Sequence, residues 1–213
     1  MKNSLVFLMM ILLFAACKKV DSNPISPIQT QDSVTDYLPL EVGNYWIYEC
    51  YTADSTLVFV DNNTTDSIYV EKDSLVNGNI YKVLRSSSVI RDVFLIRDSA
   101  DCLVLANGRK MFTLNHSIEI LAKQYLPGND TTHVLIWKMN NSDSVSIVPS
   151  GQYNAKYVLG TLNSTIPNDP NYNERKLFYA YSKNIGLVSR RLSYLCGESY
   201  IEERLIRFNL STK

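Results

Sequence analysis

Histidine is scarce in this 213-residue chain, with only His116 and His133 present. Neither has an acidic or cysteine partner at ligand spacing, which argues against a His-rich metal centre. No GxSxG, HExxH, Walker or GxGxxG pattern occurs either. An excess of one charge is also missing: 21 basic residues face 21 acidic ones, which removes the electrostatic case for binding nucleic acid. Cysteines number four, and the spacings of Cys17, Cys50, Cys102 and Cys196 exclude a CxxC-type zinc or redox motif. Adjacent like charges do not build a site. On a strand, Glu202 and Glu203 point to opposite faces, as do Arg190 and Arg191, so neither couple can act together.

Long apolar runs are confined to one place, residues 5–14 (LVFLMMILLF), too short for a membrane span of about 20 residues. Lys2 before it and Ala15-Ala16 after it complete the pattern of an export signal. Because Cys17 follows the two alanines directly, the segment resembles the lipobox of bacterial lipoproteins. That resemblance implies cleavage after Ala16, a diacylated Cys17 thioether and an acylated new amino terminus, which together anchor a protein almost irreversibly. Lys18 and Lys19 leave no aspartate at the second mature position, which favours the outer membrane. The expected organisation is a signal peptide over 1–16, lipidated Cys17 with a solvated tether over 17–36, and one domain over 37–213. The tether, with its two prolines and its Ser, Thr and Asp, lacks apolar periodicity. With Cys17 committed to lipid, Cys50, Cys102 and Cys196 form an odd set that allows at most one internal disulfide. Small buried hydrophobes on strands are their simplest reading.

The body reads as all-β. Fourteen tyrosines, many valines and isoleucines, and a turn signal about every ten residues outweigh helical periodicity. Residues 45–51 (YWIYECY) form a strand with Trp46 and Tyr48 on one large apolar face. Asn77-Gly78 predicts a type I′ hairpin, Asn107-Gly108 a second of the same kind, and residues 93–97 lead through Asp98-Ser99-Ala100-Asp101 into that pair. Further strands are expected over 133–139, 144–148, 153–159, 177–181, 187–195 and 200–210. Ile118, Leu121, Ala122 and Tyr125 fall at helical spacing, with Glu119 and Lys123 paired, and leave room for one short helix. An antiparallel meander this long must curl, into a half-barrel or a closed barrel.

Three stretches carry a resemblance. Residues 37–48 (YLPLEVGNYWIY) are similar to the YFPL-x-x-GN-x-W-x-Y opening of a family of secreted and lipoprotein β domains of the Bacteroidota. Residues 148–153 (VPSGQY) are similar to its VPAGTF, and residues 181–190 (YSKNIGLVSR) to its Y-x-x-GIGLV-x-R ending. Asn184 and Ser150 stand where the family usually has glycine and alanine. The resemblance implies a shared scaffold and no catalytic residue. At the level of fold alone, the opening strand also resembles the half-barrels of lipoprotein carriers, whose concave face holds acyl chains.

Seven Asp-Ser/Thr steps precede a small, apolar or threonine residue, with Ser33, Ser55, Ser67, Ser74, Ser99, Thr131 and Ser144 as hydroxyl residues. They match the acceptor pattern of O-glycosylation in the same bacterial group, while Asp-Ser also favours turns that hand over to strands. Ser33, in the expected tether, is the best acceptor. The combined expectation is a non-enzymatic, cofactor-free module of the cell envelope, anchored in the outer membrane. It would bind a hydrophobic ligand or an envelope partner, or serve as a structural or assembly accessory through protein contacts. A deep apolar groove supports the ligand reading and a filled core the accessory reading.

Overall fold

A turn with positive φ at Asn77 (49°) and Gly78 (77°) folds β2 (Val60–Val76) back on β3 (Asn79–Ser86), the hairpin that Asn-Gly chemistry predicts. The turn between β4 (Val93–Ser99) and β5 (Cys102–Leu105) uses Ala100 and Asp101, also at positive φ. The second Asn-Gly differs from expectation. Only Gly108 has positive φ, Gly108 N–H donates to the Leu105 carbonyl and Leu105 N–H to that of Arg109, which gives a longer hairpin into β6 (Lys110–Thr113).

The computed structural model describes residues 32–87, 93–115, 120–125, 133–140, 142–164, 174–193 and 199–211. Cys17, His116, Thr131 and Cys196 lie outside the described residues. The remaining strands are β1 (Tyr45–Ala53), β7 (Ala122–Tyr125), β8 (His133–Met139), β9 (Ser144–Val148), β10 (Gly151–Ser164), β11 (Arg175–Ser182), β12 (Gly186–Ser193) and β13 (Tyr200–Asn209). All pair antiparallel. From β1 a meander runs outward to β6, while β13 pairs with the free edge of β1 and continues through β12, β11, β10 and β8 to β7. The sheet curls into a nearly closed barrel. Its outermost strands are β6 and β7, and the Arg109 guanidinium beside β6 donates to the Gln124 amide oxygen on β7 at 2.8 Å. Side chains thus bridge the seam.

Alternation places Trp46 and Tyr48 inside, both fully buried, as the opening strand predicts. Gly186 makes this possible, since a Cβ there would lie 2.7 Å from the Trp46 indole nitrogen, which donates to the Ile185 carbonyl at 2.6 Å. Asn184 has φ 60°, in the left-handed region that favours glycine. Gly160 serves Trp137 likewise, with a would-be Cβ 2.6 Å from the ring.

Two expectations are corrected. The helical spacing after Ser117 does not produce a helix over 120–125: β7 is a strand paired with β8, and the Glu119 half of the charge pair lies outside the described residues. Pairing with a neighbouring strand overrides a short periodic pattern. The helix lies elsewhere, in α1 (Val34–Tyr37). Ser33 and Asp36 form a capping box, and Val34, Tyr37, Leu38 and Leu40 are buried in the core. The compact body begins at Asp32 instead of near Tyr37. α1 closes one end of the barrel, where Asn184 N–H in the β11–β12 turn donates to the Asp36 carbonyl.

Candidate functional site: the barrel interior

Register assembles a buried charged row that no local sequence pattern contains. Arg190 on β12 stands opposite Glu203 on β13, Glu203 opposite Cys50 on β1, and Tyr48 on β1 opposite Asp66 on β2. Arg190 donates to Glu203 through two bonds, Nε to Oε2 at 2.7 Å and Nη2 to Oε1 at 2.9 Å. Its Nη2 also reaches Asp66 Oδ2 at 3.4 Å. β12 and β2 are three strand spacings apart, about 14 Å on a flat sheet, so this contact requires strong curvature with the charges on the concave side. Asp66 further accepts from the Ser86 hydroxyl on both oxygens (3.1 and 2.9 Å), the Ser87 hydroxyl (3.0 Å) and the Ser67 N–H (2.7 Å).

Arg190, Glu203, Asp66 and Ser86 are all buried. Burial opposes the Arg190 charge, but the Glu203 carboxylate outweighs it and holds the guanidinium above its ordinary range. Burial raises the Tyr48 phenol well above its usual value, and its hydroxyl donates to the Leu187 carbonyl at 2.9 Å. Burial, then Glu203, pushes the Cys50 thiol up, which disfavours a reactive thiolate. Cys50 and Cys102 are free thiols on strands, half-buried and buried respectively.

Beside this row lies a cavity of about 60 Å³, lined by Arg190 and otherwise by apolar and aromatic side chains including Trp46, Leu84, Ile96, Tyr179 and Tyr181. Ligand pockets span roughly 300–1,000 Å³; this space suits a few water molecules. Aromatic rings fill the remainder. Tyr37 of α1 meets Phe112 of β6 (5.2 Å between centroids), Phe112 meets Tyr181 of β11 (5.1 Å), Tyr181 stacks on Tyr179 (6.4 Å), and Tyr179 meets Trp137 of β8 (4.9 Å). The interior is a packed core.

Outside, the other member of each like-charged couple builds a second cluster. Glu202 takes Arg191 at 2.8 Å and Arg204 at 2.8 Å, with Arg191 over Phe59 and Phe178 and Arg204 over Tyr51. The opposite-face argument therefore holds, and each couple divides between two clusters. β9 folds onto β12 and β13, with Ser146 Oγ 3.3 Å from Ser189 Oγ and Ser150 N–H donating to the Leu205 carbonyl. Val145 and Ile147 face water, Ile147 at 76 % exposure. β9 pairs only with β10 among the described strands, which leaves its outer edge unpaired.

The hydroxyl residues with an Asp before them scatter. Ser33 is half-buried and its Oγ meets the Thr35 N–H and hydroxyl, so it is neither exposed nor unpaired as expected; α1 consumes it as a cap. Ser67, Ser74 and Ser99 are half-buried on strands, while Ser55 and Ser144 are exposed. Thr131 lies outside the described residues. Asp54 shows the turn chemistry directly, accepting from both the N–H and hydroxyl of Thr56. No group of three metal-ligating side chains occurs among the described residues. Sequence reasoning missed the Ser33-x-x-Asp36 capping box, which was legible, and the Arg190–Glu203–Asp66 row, which was not.

No protein-family model and no curated protein matches the chain. Among solved structures it is similar to a candidate exported protein of Bacteroides fragilis with a YmcC-like fold, at 12% identity and TM-score 0.44 over 79% of this chain and 96% of that one. It is also similar to a candidate lipoprotein of Parabacteroides distasonis, at 10% identity and TM-score 0.45 over 84% of this chain and all of that one.

Proposed function

We propose that the chain is a non-enzymatic lipoprotein of the bacterial cell envelope, held at the outer membrane through Cys17, whose barrel works by contact with an envelope protein instead of by enclosing a ligand. The packed interior carries this reading: a cavity of about 60 Å³ has no room for an acyl chain. The interior charges point the same way, because Arg190 is occupied by Glu203 and Asp66 and offers no free donor fork to a ligand carboxylate or phosphate. The outer edge of β9 provides a place where a partner strand can add.

Native mass spectrometry of the protein extracted from its membrane tests this. The expected mass is that of the chain from Cys17 with its acyl groups alone. A lipid-like molecule retained at one per chain overturns the contact reading in favour of a hydrophobic-ligand carrier. In the same cells, Cys17→Ser should leave the membrane fraction and lose fatty-acid labelling; unchanged labelling would sink the anchor.

A further inference from the structure

Leu75 and Ile80 stand directly opposite each other in the β2–β3 hairpin, and both face water, at 73 % and 65 % exposure. Apolar cross-strand pairs ordinarily stabilise a sheet by packing against something more; this one caps a projection. β1 begins at Tyr45 opposite Tyr69, and the Gly43–Asn44 backbone pins Val70 with a bond in each direction. Glu71 to Val76 therefore run on past β1 for about 20 Å. Val42, also exposed, sits at the base of the projection.

The hairpin tip lies at the end of the barrel closed by α1. There the chain leaves toward its amino terminus: Asp32 is tied to Lys183 in the β11–β12 turn and accepts from the Tyr37 hydroxyl. Cys17 precedes Asp32 by fifteen residues, a reach of at most about 50 Å. A lipid on Cys17 thus holds this end within that reach of the bilayer. Leu57, Val58 and Val60 are exposed as well, but at the opposite end, separated by the length of β1, about 30 Å.

We infer that the hairpin tip rests on the bilayer that anchors the chain, with Leu75 and Ile80 seated in its interfacial layer and the far end of the barrel directed away from it. This rests on the Cys17 anchor reading. Tethering turns the contact into an intramolecular one at an effective concentration in the millimolar range, so a two-residue patch too weak to recruit the barrel is enough to orient it. Asn77-Gly78 keeps the tip narrow, and the Lys82–Asp73 ion pair at 2.7 Å leaves its stem without net charge to repel a lipid surface.

The test uses the full lipidated protein in vesicles of phosphatidylethanolamine and phosphatidylglycerol whose acyl chains carry bromine. Trp46 and Trp137 are buried and set the baseline emission. In Leu75→Trp, and independently in Ile80→Trp, the added indole should blue-shift and lose emission severalfold on brominated vesicles, while Val60→Trp should match its emission on unbrominated ones. Indoles at 75 and 80 that stay bright in protein that floats with the vesicles overturn the docking and leave the anchor standing; a partner protein is then the better occupant. Equal quenching at 60 overturns it too. A wild-type chain that does not float with the vesicles overturns the anchor, and the docking with it.

Discussion

Replacing Arg190 by methionine keeps much of the side-chain volume and deletes the charge at the centre of the buried row. Asp66 would still accept from Ser67, Ser86 and Ser87, so the loss falls on Glu203, whose two short bonds both come from Arg190. A buried carboxylate stripped of its partner destabilises a fold by about 3–5 kcal/mol, a large share of the roughly 5–15 kcal/mol that hold a domain together. Urea unfolding followed by the fluorescence of Trp46 and Trp137 should show the midpoint falling with the slope unchanged. Arg190→Met combined with Glu203→Leu removes both charges, and should recover all but about 1–2 kcal/mol, because a well-packed apolar pair can replace a buried ion pair. A single variant that loses less than about 1 kcal/mol, or a double variant no more stable than the single, would refute the view that this row is an interior strut.

Gly186→Ala should cost at least the roughly 1–3 kcal/mol of a disfavoured backbone conformation, since Gly186 sits at φ 108° and the new methyl meets the Trp46 indole; calorimetry checks it, and a wild-type Tm would show the glycine to be incidental. Alkaline pH should unfold the protein steeply. Burial raises the Tyr48 and Tyr181 phenols above the ordinary phenol value of about 10. Their neutral forms therefore stabilise the fold fully below that value, and the contribution drains away above it at ~2.7 kcal/mol per pH unit for two such groups. Phenolate absorbance from these tyrosines should rise only together with unfolding; titration within an intact fold would contradict the burial argument.

Much of the barrel was legible because its determinants are local. Asn77-Gly78 selects its own turn, and alternation in 45–51 assigns Trp46 and Tyr48 to one face without knowledge of any other strand. The residues 118–125 misled because four apolar positions at helical spacing say nothing about a neighbouring strand, and β8 supplied the backbone partners that decided the matter. α1 was missed although Ser33-x-x-Asp36 signals a helix start, because prolines and polar residues around it suggest a tether and its apolar stripe is only Val34 and Tyr37. The interior row was not legible at all. Which of Arg190 and Arg191 turns inward, and whether Glu203 or Glu202 awaits it, depends on bulges and on register across β11, β12, β13 and β1. Curvature adds Asp66, and curvature is a property of the whole sheet.

The pairing of β1 with β13 brings early and late strands together at the middle of the sheet. Chain made from its amino terminus can zip β1 through β6 hairpin by hairpin, since each pairs with its predecessor. The other edge of β1 then waits for β13, and the Trp46 and Tyr48 rings beside it lack their Ile185 and Leu187 acceptors, each 139 residues further along the chain. Throughout that interval the nascent protein presents a sticky, half-finished edge. The barrel therefore closes only when its last strand is available, and loss of β13 would strand the chain in that exposed state.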